Sequence, residues 1–104
     1  MSNWKNKDSK ELFKAITRLR TANETRNFLR DLLTEQEIIE FSARWKAARM
    51  LDKKISYTKI VEVTGLSSRT VARVSKWLNQ GCGGYKKMVA TLHHDNSSFG
   101  SGLS

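Results

Sequence analysis

The chain contains no proline, and glycine is scarce: of six glycines in 104 residues, only Gly65 falls before position 80. Proline and glycine are the residues that most disfavour a helix interior, so residues 8 to 80 are expected to be helical almost throughout. A single cysteine, Cys82, allows no internal disulfide, and a lone thiol is read as incidental rather than redox-active. His93 and His94 are adjacent and have no further ligands at metal-site spacing, so no metal is expected. There is no phosphate-cradling glycine loop and no nucleophile beside a base, which sets catalysis aside and leaves no cofactor to be expected. No apolar run reaches the length of a membrane span, and the opening MSNWKNKDSKEL lacks the apolar core of a secretory signal. A cytoplasmic location without membrane attachment is the expectation. Acids are also in short supply, 10 Asp and Glu against 19 Lys and Arg, for a net charge of +9. Such a balance favours a polyanionic partner.

What is present centres on Ile55 to Leu78, ISYTKIVEVTGLSSRTVARVSKWL. Ser56 is an N-cap, Ile55 and Ile60 make a hydrophobic staple across it, and Ile60, Val61 and Val63 are expected to face inward. Gly65 supplies a turn that requires φ above zero. Ser67 caps a second helix, Leu66 staples to Val71, and Val71, Val74 and Leu78 form an apolar stripe at spacings of three and four. Ser68, Arg69, Ala72, Arg73 and Lys76 fall off that stripe. Two capped helices around a glycine turn read as a helix-turn-helix over residues 56 to 78. The basic outer face of its second helix has the donors that distinguish bases in a major groove. Residues 53 to 76 hold six Lys and Arg against the single acid Glu62, an excess of five.

The rest of the chain supplies a helical frame. Residues 1 to 8 read as a flexible basic arm. Asp8 with Glu11 predicts a capping box and a helix over about 9 to 20, carrying Leu12, Phe13, Ile16 and Leu19. Thr21 with Glu24 predicts a second, ending near Leu33 with Phe28, Leu29, Leu32 and Leu33. Thr34 with Glu37 opens the longest, about residues 35 to 53. There Ile38, Phe41, Trp45 and Ala48 form one stripe, widened by Ile39, Ala43, Ala47, Met50 and Leu51. Glu35, Glu37 and Glu40 near its start and Arg49, Lys53 and Lys54 near its end suit the helix dipole. A short last helix is predicted over Tyr85 to Leu92, closing a helical domain at residues 9 to 92. Residues 93 to 104 read as a disordered tail. A domain this small cannot cover so many apolar faces alone, so a homodimer is expected.

With these residues in place, Leu32 to Leu78 resembles the Trp repressor family. The similarity lies in the Leu-Leu-Thr opening of the long helix (Leu32, Leu33, Thr34), Arg44 ten residues on, and a turn glycine followed by Thr70, Val71 and Arg73. Within the family it is most similar to the YerC/YecD type, through Ala48-Arg49-Met50-Leu51, Tyr57-x-Lys59-Ile60, Thr64-Gly65, Ser75 to Asn79 and Gly84-Tyr85. The resemblance implies an all-α intertwined homodimer whose two helix-turn-helix heads enter successive major grooves of double-stranded DNA. Tyr57, Lys59, Ser68, Arg69, Thr70, Ala72, Arg73 and Lys76 are the expected DNA-facing residues. The resemblance also implies where a tryptophan corepressor would sit, between the long helix and the reading helix, near Arg44 and Arg73. Val74 stands there in place of a glycine and Trp77 in place of a serine, so the pocket is expected to be filled and tryptophan not to be used. The competing reading is a helical dimerisation or adaptor module whose basic face is incidental. RNA binding ranks lower, because Phe28, Phe41, Trp45 and Trp77 fall on predicted apolar faces rather than on an exposed stacking platform.

Overall fold

The computed structural model describes residues 3–99, with side-chain environments through residue 93. Every element among these residues is helical: α1 (Lys7–Thr17), α2 (Ala22–Leu32), α3 (Glu35–Asp52), α4 (Tyr57–Thr64), α5 (Ser68–Gln80) and α6 (Gly84–Phe99). None is long and apolar enough to cross a membrane. The described residues fall into two compact units, divided after Ile38.

In the first unit the caps set the boundaries. α1 begins two residues before the sequence expectation, because Asn6 rather than Asp8 takes the N-cap. The Asn6 side chain accepts from the Ser9 amide at 2.9 Å, and Ser9 Oγ accepts from the Asn6 amide at 3.0 Å. That reciprocal pair satisfies two otherwise unpartnered amides, and the Asp8–Glu11 box does not form. The helix also stops earlier, at Thr17, with Arg18 as C-cap. The predicted arm is correspondingly shorter. Its Trp4 lies edge-on to Phe13, with ring centroids 6.3 Å apart, while Met1 and Ser2 lie outside the described residues. At α2 the Thr21 side chain accepts from the Glu24 amide as expected, but the Glu24 carboxylate reaches back to the Arg20 amide instead of closing the box on Thr21. The Thr34–Glu37 box at the start of α3 forms in full, at 2.9 and 3.1 Å.

The second unit holds the core. Ala47 and Ala48 of α3 pack with Ile60 of α4, Leu66 of the turn, and Val71 and Val74 of α5. α5 packs on both α4 and α6. The α4–α5 connection follows the sequence grammar. Ser56 Oγ accepts from the Lys59 amide, Gly65 has φ of 76° and donates its N–H to the Val61 carbonyl, and Ser67 Oγ accepts from the Thr70 amide. Val63 departs from expectation, being 40% exposed. On an eight-residue helix turning 100° per residue only a narrow stripe can face the core, and Ile60 occupies it. α6 runs seven residues past its predicted end. Nothing from His93 to Phe99 breaks a helix, and extending one adds a hydrogen bond for each residue fixed. The expected disordered tail is therefore helical through Phe99, and its residues 100–104 lie outside the described ones.

Candidate functional site

Opposite the buried stripe of Val71, Val74 and Leu78, α5 presents Ser68, Arg69, Ala72, Arg73 and Lys76 to solvent. Arg69, Arg73 and Lys76 recur at spacings of four and three, so their charges share one face, with the methyl of Ala72 between them. None of the three enters an ion pair among the described residues. Thr70 is different from its neighbours. It is half-buried, its amide is donated to Ser67 Oγ, and its hydroxyl accepts from the same serine at 3.1 Å. On α4, Tyr57 is exposed at the first helical position. Lys59 is exposed too, but its ammonium lies 3.2 Å from Glu62, so part of its charge is answered within the helix.

The residues expected around a filled pocket are not brought together as predicted. Val74 is fully buried in the core, as an inward bulky residue should be. Trp77 is not. It is 41% exposed and lines an open groove of 570 Å³ with Trp45, Gly81, Tyr85 and Met88. The reason is angular: Trp77 lies three residues from Val74 and one from Leu78, which turns it to the edge of the buried stripe rather than onto it. Trp45 and Tyr85 stack across this groove with ring planes 10° apart. Burial pushes the Tyr85 phenol above its ordinary pKa, and the charge of Arg44 opposes part of that rise. Arg44 is half-buried, with Nη2 2.9 Å from Glu40 and its guanidinium over the Phe41 ring, whereas Arg73 stands in solvent. Among the described residues no three His, Cys, Asp or Glu side chains gather as metal ligands.

A family model described as Trp repressor protein matches residues 7–93. The chain belongs to the Trp repressor family. It is 38% identical over 80 residues to the uncharacterized protein YerC of Bacillus subtilis, covering 77% of each chain. A TrpR-like protein from Eubacterium eligens superposes with a TM-score of 0.81 at 36% identity, over 86% of this chain and 93% of that one. A further solved structure, from Staphylococcus aureus, gives 0.79 at 30% identity over 86% and 89%. The all-α Trp-repressor-like fold and the kinship with the YerC type thus follow from sequence and structure together. The Trp repressor family is one of regulators rather than enzymes.

The aromatic groove is what sequence reasoning missed. Tyr85 and Met88 were legible as apolar positions of the last helix, and Trp45 and Trp77 as apolar positions of theirs. Nothing in their spacing told that they would meet each other and remain open.

Proposed function

We propose that this protein is a sequence-specific, DNA-binding transcriptional regulator, acting in the cytoplasm as a helix-turn-helix homodimer that does not depend on tryptophan. The observation that carries the reading is the basic face of α5, exposed and, among the described residues, free of internal ion pairs opposite a stripe buried in the core. A recognition helix needs both: the stripe fixes its orientation, and uncommitted donors remain for the duplex. α5 enters the groove N-terminus first. Ser68, Arg69 and Thr70 lie near base edges, and Ala72 permits close approach. Tyr57, Lys59, Arg73 and Lys76 serve phosphates, which position the protein without reading sequence, with Arg73 also a candidate for a base edge. Lys59 and Thr70 are the weaker members, since each already has a partner in the free protein.

Dimerisation is supported by apolar side chains left in solvent, Phe13, Ile16, Leu32 and Ile39 among them. Two copies of a short reading helix also gain affinity and specificity by spanning two half-sites. Independence from tryptophan is supported by Val74, a fully buried bulky residue where the family resemblance has the glycine against which the corepressor's indole lies. Forcing a ligand into a filled site costs about 1–3 kcal/mol before any contact is gained. Calorimetry with millimolar L-tryptophan is expected to show no binding heat and no gain in DNA affinity. A saturable response would return the protein to the corepressor-dependent class.

Selection on random duplex DNA would supply a cognate site. Arg69→Ala should then cost roughly 1–3 kcal/mol there and relax discrimination, while Lys59→Ala weakens all sequences about equally. Equal affinities of Arg69→Ala and the parent for both cognate and random duplex would overturn the readout. Affinity for duplex must also fall steeply with salt as counterions are released. No binding, or a flat salt response, would favour the adaptor reading.

A further inference from the structure

A second basic feature lies at the junction of α3 and α4. Lys54 closes α3 with φ of 64°, in the left-handed region, where it stands as the sole non-glycine among the described residues. A Cβ in that conformation crowds the following carbonyl, which is why such positions favour glycine, as at Gly65 on the far end of α4. The lysine therefore strains the turn, and its ammonium gives nothing back: among the described residues it enters no ion pair. Lys54 instead lines a cleft of 430 Å³ with Tyr57 of α4, Ser75 and Asn79 of α5, and Lys86 of α6. Lys86 is likewise without an ion pair among the described residues. The one acid in the lining is Asp52, and its Oδ2 lies 2.8 Å from His93 Nε2. Lys54 of the α3–α4 turn, Tyr57 of α4, Asn79 of α5 and Lys86 of α6 thus line one opening, and neither lysine is answered by an acid among the described residues.

We infer that this cleft seats a phosphodiester of the DNA backbone, outside the groove that α5 reads, with Lys54 and Lys86 as its cationic jaws. The inference rests on the DNA-binding reading above and extends it to residues beyond the helix-turn-helix. When the second helix of such a motif lies in the major groove, the first crosses the backbone. Lysines and helix N-terminal amides are the usual phosphate partners there. Tyr57 is the first residue of α4, so the cleft opens at the end of the helix where a phosphate would arrive. A free phosphate or a small phosphorylated molecule would find the same chemistry, and the two sources separate experimentally.

The test uses the full chain and compares Lys54→Gly and Lys86→Ala with the parent on a selected cognate duplex and a random one. Each substitution removes one contact per protomer, and each lost contact should flatten the slope of log affinity against log salt by about 0.9, roughly eightfold in affinity near 0.1 M salt, so that a homodimer loses about twice that slope, equally on both duplexes. Lys54→Gly should meanwhile melt no lower than the parent, because it removes backbone strain, so weaker binding cannot be charged to unfolding. If the parent binds duplex and both variants keep its slope and affinity, the cleft assignment is overturned while the DNA-binding reading stands. If the parent binds no duplex, both fall together. Inorganic phosphate against chloride at matched ionic strength supplies the other arm. Lysine-dependent thermal stabilisation by phosphate, with unchanged duplex slopes, would make the cleft a free-anion site and overturn its place on DNA.

Discussion

In residues 1–38 neither α1 nor α2 buries a single side chain, although both carry well-separated apolar faces; Phe13 is 48% exposed. In residues 39–104 the same kind of pattern yields a core in which Ile60, Val71 and Val74 are fully buried. α1 and α2 of the first unit and α4 and α5 of the second are built alike, with side-chain N-caps and apolar residues at spacings of three and four. What differs is whether each apolar face meets another. The α4–α5 pair turns back on itself through Gly65 and Leu66 within three residues, so two faces are brought together by the chain itself. α1 and α2, joined by a linker of similar length, do not pack on each other in the same way. An amphipathic pattern thus guarantees a face that should be covered and leaves open which molecule covers it.

The largest expected effect belongs to the unit that covers itself. Ile60→Ala empties a site with no exposure and should cost about 2–5 kcal/mol in denaturant unfolding. A cost below 1 kcal/mol would mean that the packing around α4 is looser than its burial indicates. The next effect sharpens the comparison. For an isolated chain, changing an exposed residue such as Ile16 to Ser should stay within about 0.5 kcal/mol. If a second copy covers α1, as the proposed homodimer requires, the same change should cost roughly 1.5–3 kcal/mol, with a melting temperature that falls on dilution. A near-neutral Ile16→Ser, in a protein that sediments as a monomer at micromolar concentration, would erase the difference drawn between the units.

The smallest effect concerns the aromatic groove. Tyr85 holds its proton more tightly in the folded chain than its ordinary pKa of 10.0 implies, chiefly because burial disfavours the phenolate. The sign follows from linkage. Below pH 10 both states keep the proton and the contribution is whole; as pH rises past that value the unfolded chain ionises first, and stability is lost. In a Tyr57→Phe background, which leaves Tyr85 as the only tyrosine, the ultraviolet titration midpoint should lie above 10.0. A midpoint at or below it would mean that the Arg44 charge outweighs burial.

Much of the candidate site was legible because it is local. Ser56, Gly65 and Ser67 act on amides within a few residues of themselves, so their roles could be assigned from order alone, and the structure has them as expected. The faces of α5 were legible for the same reason. The failures share a cause as well. Asn6 and Asp8 are both good caps, and the choice turned on which reciprocal pair closed. Val63 and Trp77 are apolar residues at the edges of their stripes, where a few tens of degrees separate core from surface.

The sequence by itself determined that this chain is helical, where most of its helices start, which faces are apolar, and that its charge is concentrated around residues 53 to 76. These follow from interactions spanning four residues or fewer, and from composition. Only the tertiary structure decided that Trp45, Trp77, Tyr85 and Met88 share an open groove, and that Lys54 and Lys86, 32 positions apart, line one cleft. Such meetings depend on the angles at which α3, α4, α5 and α6 pack. Those angles are set by the summed fit of many side chains, to which no short-range spacing gives access.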